Sequence, residues 1–313
     1  MASASCAIFY GTVSGLSAPS SVSTWPSDTA SLPWPAWLDP AGGRPRFEGA
    51  LGGILDAGRF RWTLVEVPDA RRLGTAAFQD AAAHAYRRVH LQLDGSEHRH
   101  PVRYWSFIPG IHDDMGSGLD RYMVFNAGRF SAFAERLGSA EAAGPGSPTA
   151  SGIGNEGDSL IVACLSSCVP GRPVENPRQV SAYRYSARYG PKPPCFARAT
   201  VLDGAGASIL LVGGTASITG EESRHADDLD AQIDETLRNL GAVVDAAGAG
   251  GSLESYRFLR VFLPAITDTG RVRSKLAALL PAGVAVEWRR AELCRAELLL
   301  EIEGLAVLPD PRA

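Results

Sequence analysis

The sequence predicts an α+β fold of two related halves, each a mixed sheet with helices packed on one face. Three observations carry that expectation. Residues 209–240 read ILLVGGTASITGEESRHADDLDAQIDETLRNL: a short β-branched apolar run, a small-residue turn, then apolar residues at helical spacing. An order of helix, strand, helix, strand fills residues 75–165 and recurs over 226–302, each time with a long first helix. It is a repeat of element order and not of letters. Finally, 313 residues, 45% hydrophobic and 20% charged, can bury a full core and suit two subdomains better than one.

Taken in order, residues 1–45 are rich in Ser, Pro and Trp (Trp25, Trp34, Trp37) without a period. They are expected to form an irregular arm whose tryptophans pack onto the body. The first half is assigned to 46–157. It holds a strand at 60–65, an Ala-rich helix at 75–93 with Phe78, Ala82, Tyr86 and Val89 on one stripe, and a strand at 102–108. A second helix at 118–137 carries Leu119, Tyr122, Phe125, Phe130 and Phe133, and the Gly/Ala/Ser/Pro-rich residues 139–157 read as a hinge or loop. The second half, 158–313, starts with a strand at 160–165 and a proline-rich irregular stretch at 170–194. Strands at 197–202 and 208–212 precede a helix from 226 to 240, with Leu229, Ile233, Leu237, Leu240 and Val244 at helical spacing. Asp227 and Asp228 fall in its first turn and Gly241 is the expected C-cap. A Gly/Ala linker, a strand at 256–263, a helix at 271–280 and strands at 284–288 and 297–302 complete the chain.

Composition excludes several classes. Thirty basic residues against 34 acidic ones give a net charge of −4, and no basic block interleaved with aromatics points to nucleic acid. The apolar runs are too short to span a bilayer, and the first positive side chain is Arg44, unlike a secretory signal. Cys6, Cys164, Cys168, Cys195 and Cys294 are odd in number and scattered, and His98-x-His100 stands without further ligands. Neither a metal site nor a disulfide framework is expected, and a reducing, cytoplasmic compartment is. No GxxxxGK[ST] or GxGxxG follows the strand at 209–212, so the turn is no phosphate loop.

Three stretches could carry chemistry. Gly213 and Gly214 stop the side-chain run where a backbone bends or admits close approach, and the hydroxyls of Thr215, Ser217 and Thr219 follow. This turn lines a ligand pocket or is a tight strand–helix joint. Residues 175–198 are dense in Tyr and Arg. Alternation sets Tyr183 with Tyr185 and Arg184 opposite, and Tyr189 and Arg198 lie beyond. Arginine grips carboxylates and tyrosine offers a hydroxyl on a flat apolar wall, a set suited to a small cyclic acid. Arg103-Tyr104-Trp105 and Tyr122 with Arg129 form two further such clusters. In CRAELLLEIEG, residues 294–304, alternation puts Glu297, Leu299, Glu301 and Glu303 on one face. That face is either wet or buries a glutamate whose raised pKa makes it a general acid.

The blocks ENPRQVSAYRY…YGPKPPCFARAT, GGTASI, GEESRHADDLDAQIDETLRNL and CRAELLLEIEG, with RYWSFIPGI…GLDRYMVFNAGR before them, together resemble the chorismatase family over roughly residues 70–304. The resemblance implies cleavage of chorismate to pyruvate and a ring acid without a cofactor. It also implies a fold of units similar to the small α+β RidA/YjgF family, in agreement with the repeat. The family's catalytic glutamate matches Glu301, which would protonate the enolpyruvyl methylene. The 3-hydroxybenzoate-forming type is marked by a Cys seven residues earlier and a Gly before the GT turn, matched by Cys294 and Gly213. Relatives tend to read Arg-Met-Trp-Asn where this chain has Arg103-Tyr104-Trp105-Ser106. A dianionic substrate needs arginines, for which Arg198 and Arg260 are expected, with Arg184 as a third and Arg129 next. Tyr183, Tyr185, Tyr189, Gly214, Thr215 and Trp105 complete the expected substrate contacts. A hydrolytic chorismatase and a non-catalytic RidA-like binding module are the alternatives. Because one chain holds both units, a monomer is expected.

Overall fold

One strand order occurs twice in this chain. The computed structural model describes residues 52–139, 144, 146–204 and 207–309, with two-residue strands at 23–24 and 46–47. The tryptophans and Cys6 of the expected arm lie outside the described residues. The elements are β1 (Ser23–Thr24), β2 (Arg46–Phe47), β3 (Gly52–Ala57), β4 (Phe60–Val67), α1 (Thr75–Asp94), β5 (His100–Pro109), α2 (Arg121–Leu137), β6 (Thr149–Asn155) and β7 (Leu160–Ser167). Then come β8 (Arg172–Val174), β9 (Ala199–Leu202), β10 (Ala207–Thr215), the short hairpin β11 (Ile218–Thr219) and β12 (Glu222–Ser223), α3 (Leu229–Ala246), β13 (Tyr256–Leu263), α4 (Thr269–Leu279), β14 (Ala285–Arg290) and β15 (Glu301–Pro309). One sheet runs β2-β3-β4-β7-β5-β6; the other, read from β8, runs β8-β9-β10-β15-β13-β14 and adds β1 at its edge. The two orders correspond strand for strand. Even the pairing sense repeats: β5–β6 and β13–β14 are parallel, whereas β4–β7, β5–β7, β10–β15 and β13–β15 are antiparallel.

The layers follow from which side chains are apolar. α1 puts Phe78, Ala82, Tyr86, Val89 and Leu93 on one buried stripe, joined by Val124, Phe125 and Phe133 of α2 over the outer face of the first sheet. Each large apolar side chain so buried contributes on the order of 1.5–3 kcal/mol. Ile233, Leu240 and Val244 of α3, with Val272 and Leu276 of α4, cover the second sheet in the same way. The inner faces of both sheets meet in a third cluster that includes Trp62, Trp105, Phe107, Leu211, Phe258 and Leu305. The order is helices, sheet, sheet, helices, and the expected α+β architecture of two like halves is borne out. No helix among the described residues is long and apolar enough to cross a membrane.

The structure corrects four local expectations. The boundary at 157/158 falls one strand early, because β7 lies between β4 and β5 in the first sheet. The stretch 139–157 is not all hinge: β6 occupies Thr149–Asn155. Its glycines serve packing, since a Cβ on Gly152 would lie 2.9 Å from the Tyr122 ring and one on Gly154 2.8 Å from Glu292 Cβ. Gly241 does not cap α3, which runs on to Ala246; it lets the 251 carbonyl approach to 3.0 Å of where a Cβ would sit. Asp228 is the N-cap, accepting from the Ala231 amide at 3.0 Å. Finally, no strand spans 297–300. Leu298 and Leu300 are buried in opposite cores, and β15 begins only at Glu301.

Candidate active site

β15 brings Glu301 in as its first residue, beside Phe262 of β13. On the other side β10 changes register between Val212 and Thr215, so the two glycines form an irregularity within a strand instead of ending it. Each glycine answers a different need. A Cβ on Gly214 would lie 1.9 Å from Glu301 Oε1, so only glycine leaves that carboxyl its place. A Cβ on Gly213 would meet Thr149 Oγ1 at 2.7 Å and the Ala150 carbonyl at 2.9 Å; its absence lets β10 close on β6. The turn beyond is held by Asn239 of α3, whose Nδ2 donates to the carbonyls of Ala216 and Ile218 at 3.0 and 2.8 Å.

Glu301 faces a cavity of about 330 Å³ between the halves, of the size that small-molecule sites take. The first half contributes Tyr122, Asn126 and Arg129 from α2 and Ala150, Ser151 and Gly152 from β6. The second contributes Tyr185, Tyr189, Phe196, Arg198, Gly214, Cys294 and Arg295. Arg198 is held by donating to Tyr185 Oη at 2.7 Å and the Val180 carbonyl at 3.0 Å. Arg295 stacks its guanidinium 4.1 Å from the Tyr189 ring centroid and donates to Ser223 Oγ at 3.1 Å. Arg129, 1% exposed, donates to Asn126 Oδ1 at 2.7 Å between the rings of Phe125 and Phe196. An apolar, aromatic chamber with three fixed cations suits a compact anion.

The electrostatics single out Glu301. Burial pushes its carboxyl up to about 8, the neighbouring Glu303 charge adds to this, and Arg103 and Arg198 only partly oppose it. Its one hydrogen bond among the described residues is a long contact from the Cys294 thiol at 4.0 Å. That thiol is itself pushed up to about 12 by burial and by Glu301, so it stays neutral. Burial also raises the Tyr122 hydroxyl. The site therefore offers a carboxylic acid that keeps its proton at neutral pH, beside cations able to hold an acid substrate.

The first half matches a family model described as chorismatase FkbO/Hyg5-like, N-terminal, over residues 46–166. A 3-hydroxybenzoate synthase of Streptomyces hygroscopicus is 34% identical over 247 residues, 74% of this chain and 71% of the relative. The chain belongs to the chorismatase family. Another family member, a chorismatase of Streptomyces hygroscopicus, is 31% identical over 73% of this chain and 67% of its own length. A crystal structure of a chorismatase superposes with a TM-score of 0.74 at 26% identity, covering 84% of this chain and 79% of that one. The membership expected from the sequence blocks is borne out.

Of the residues expected at the site of this chorismatase, the fold gathers Glu301, Cys294, Gly214, Arg198, Arg129, Tyr185 and Tyr189 around the cavity. Cys294 reaches it because residues 291–300 bend instead of alternating. The others lie elsewhere. Arg260 is buried behind β15, with Nε donating to Glu287 at 3.0 Å and Nη1 to Glu303 at 2.8 Å. Trp105 packs on Trp62 and donates to Glu303 at 2.9 Å. Tyr183 and Arg184 stack on each other in a 3₁₀ turn, Arg184 exposed and Tyr183 against Gly144, so strand alternation never applied to them. Thr215 is buried, donating to the Gly213 carbonyl at 3.0 Å, and Gly213 itself lies behind the wall. Among lining residues, Arg295 could have been found from its place beside Cys294, whereas Asn126 and Ser151 carry no sequence signal.

Proposed function

We propose that this enzyme cleaves the enolpyruvyl ether of chorismate to pyruvate and 3-hydroxybenzoate, with Glu301 as the general acid. The observation that carries the reading is the buried, weakly bonded Glu301 carboxyl at the wall of a cation-lined cavity, held near 8. A vinyl ether is broken by protonating its terminal methylene carbon. The electron pair of the double bond takes the proton, and positive charge develops on the adjacent carbon, shared with the ether oxygen. An acid ionised above neutrality supplies that proton and leaves a carboxylate beside the new cation, which stabilises it in a dry site. Arg198, Arg129 and Arg295 are the proposed grips for the substrate carboxylates, with Tyr185 and Tyr189 as the flat wall. The ring carbon–oxygen bond then breaks, the ether oxygen leaving as the carbonyl of pyruvate. The neighbouring ring hydroxyl passes its oxygen to the vacated carbon while the ring loses one proton and becomes aromatic. That proton restores the acid, and these steps call for no cofactor.

The relative's name, 3-hydroxybenzoate synthase, and the pair Cys294 and Gly213 support the aromatic product. Pyruvate and hydroxybenzoate together contain the atoms of chorismate, so no water is consumed overall. Hydrolysis would add one and leave a dihydroxycyclohexadiene carboxylate. Closing off water around the cation therefore favours the benzoate, and a small, neutral thiol is a poor anchor for water. Both walls of the cavity come from one chain, which supports a monomer; light scattering at the mass of two chains would contradict that. The test of function is pyruvate release from chorismate, coupled to lactate dehydrogenase, with the ring product separated by chromatography. Pyruvate with 3-hydroxybenzoate is expected. The diene diol alone would overturn the product, and no pyruvate would leave a binding module.

A further inference from the structure

Behind the cavity lies a second carboxylate that the reaction as described does not use. Glu303 follows Glu301 by two residues on the same face of β15, and both are 4% exposed. Their surroundings could hardly differ more. Glu303 Oε2 accepts from Arg103 Nη2 and from Ser151 Oγ, each at 2.6 Å. Its Oε1 accepts from Arg260 Nη1 at 2.8 Å and Trp105 Nε1 at 2.9 Å. Arg103, Trp105 and Ser151 come from the first half and Arg260 from the second, so the network crosses the seam between the sheets. Among the described residues, Glu301 has only the thiol of Cys294 at 4.0 Å. Ser151 explains part of the asymmetry. Its hydroxyl accepts from the Gly214 amide at 2.9 Å and donates to Glu303, so both groups beside the cavity are already taken.

We propose that Glu303 is a positioning residue, an ionised carboxylate fixed by Arg103 and Arg260 that makes Glu301 the proton-bearing member of the pair. The inference rests on the reading of Glu301 as the acid. Two carboxyls this close on one strand share the penalty of ionising together. The one with four donors keeps the negative charge, and the proton goes to the other. Of the charged groups lining the same cavity, Arg129 and Arg295 oppose the proton and Glu297 favours it, and the groups closest to Glu301 fit this division. The charges of Arg103 on β5 and of Arg198 just before β9 oppose the proton, while Tyr122 on α2 and Cys294 in the bend stay neutral; Gly214 on β10 and Phe262 on β13 bring no charge. Without Glu303, the charge of Arg103 would fall on Glu301 and join Arg198 in drawing its proton off, while Arg260 would keep Glu287.

The experiment is the pH profile of kcat/KM for pyruvate release by Glu303→Gln beside the natural enzyme. The alkaline limb is expected to move down by about one pH unit or more, so that activity is recovered on acidification. A folded, active variant whose limb stays in place overturns the proposal. Because that variant takes the carboxylate from buried Arg103 and one of the two from Arg260 and can fail to fold, infrared titration of the ¹³C-glutamate-labelled natural enzyme and of Glu301→Gln provides the second arm. A protonated carboxyl band that titrates on the alkaline side of neutrality is expected in the natural enzyme and lost in Glu301→Gln. Its survival there, with Glu175→Gln added because burial raises that carboxyl as well, puts the proton on Glu303 and overturns the proposal. Failure of the acid reading itself looks different: Glu301→Gln would then retain pyruvate formation.

Discussion

β7 and β15 hold the same place in the two sheets, each between the second strand of a hairpin (β4 or β10) and the strand that follows the half's long helix (β5 or β13). β7 reads LIVACLSS, fully buried, and turns Ile161, Ala163 and Leu165 into the core between the sheets. β15 reads EIEGLAVLP and turns Glu301 and Glu303 to that side, with Leu305 next. One backbone plan thus closes once as core and once as chemistry. The comparison teaches that the scaffold permits the acid without supplying it. What supplies it is a local exchange: Arg103 and Arg260 neutralise one glutamate, and Gly214 in β10 makes room for the other.

The comparison breaks most easily at Glu301. Glu301→Gln is expected to lower kcat for pyruvate release by about 10²–10⁴-fold while circular dichroism stays unchanged; a loss below about tenfold would remove it as the acid. The matching change in the first half should do the reverse. Ile161→Ala, at a site 1% exposed, is expected to cost about 2–5 kcal/mol in urea unfolding and to leave kcat alone. A substantial fall in kcat for the folded variant would mean that the first half does more than form a wall.

Much of this division was legible in the sequence. The stripes of α1, α2 and α3 are regular, and the repeat of element order predicted two like halves. Glu301 was legible through its block, since composition favoured a wet face for that run. What the sequence hid is what depends on close approach. β6 looked like a hinge because Gly152 and Gly154 are packing residues, and Gly241 looked like a cap for the same reason. Residues 297–302 read as an alternating strand, yet Leu298 and Leu300 serve opposite cores, and the bend over 291–300 returns Cys294 to Glu301. Arg260 looked like a substrate grip because nothing in one dimension tells a guanidinium facing a cavity from one facing Glu287 and Glu303.

That last distinction sharpens the comparison further. Arg198→Ala, on the cavity, is expected to raise KM for chorismate by about ten- to a hundredfold, the loss of a charge-assisted bond. An unchanged KM in steady-state assays would shift the grip to Arg129 and Arg295. A smaller effect is expected in stability. Glu301 is raised from its ordinary value to about 8, so between those values the folded state holds a proton that the unfolded state has lost. Stability then falls as pH rises through that window. Glu301→Gln escapes the penalty, so its Tm should exceed that of the natural protein above about pH 8 and the gap should shrink on acidification. A gap independent of pH in thermal scans would mean that Glu301 is not the raised group.

The most direct measurement is the pH dependence of kcat/KM for pyruvate release by the natural enzyme. An acid that works protonated keeps the rate level on the neutral side and lets it fall about tenfold per unit once pH passes about 8, with no such limb in the residual activity of Glu301→Gln. A rate that instead climbs through the ordinary carboxyl range and stays high well above about 8 would show a group acting ionised, and would contradict Glu301 as the proton donor.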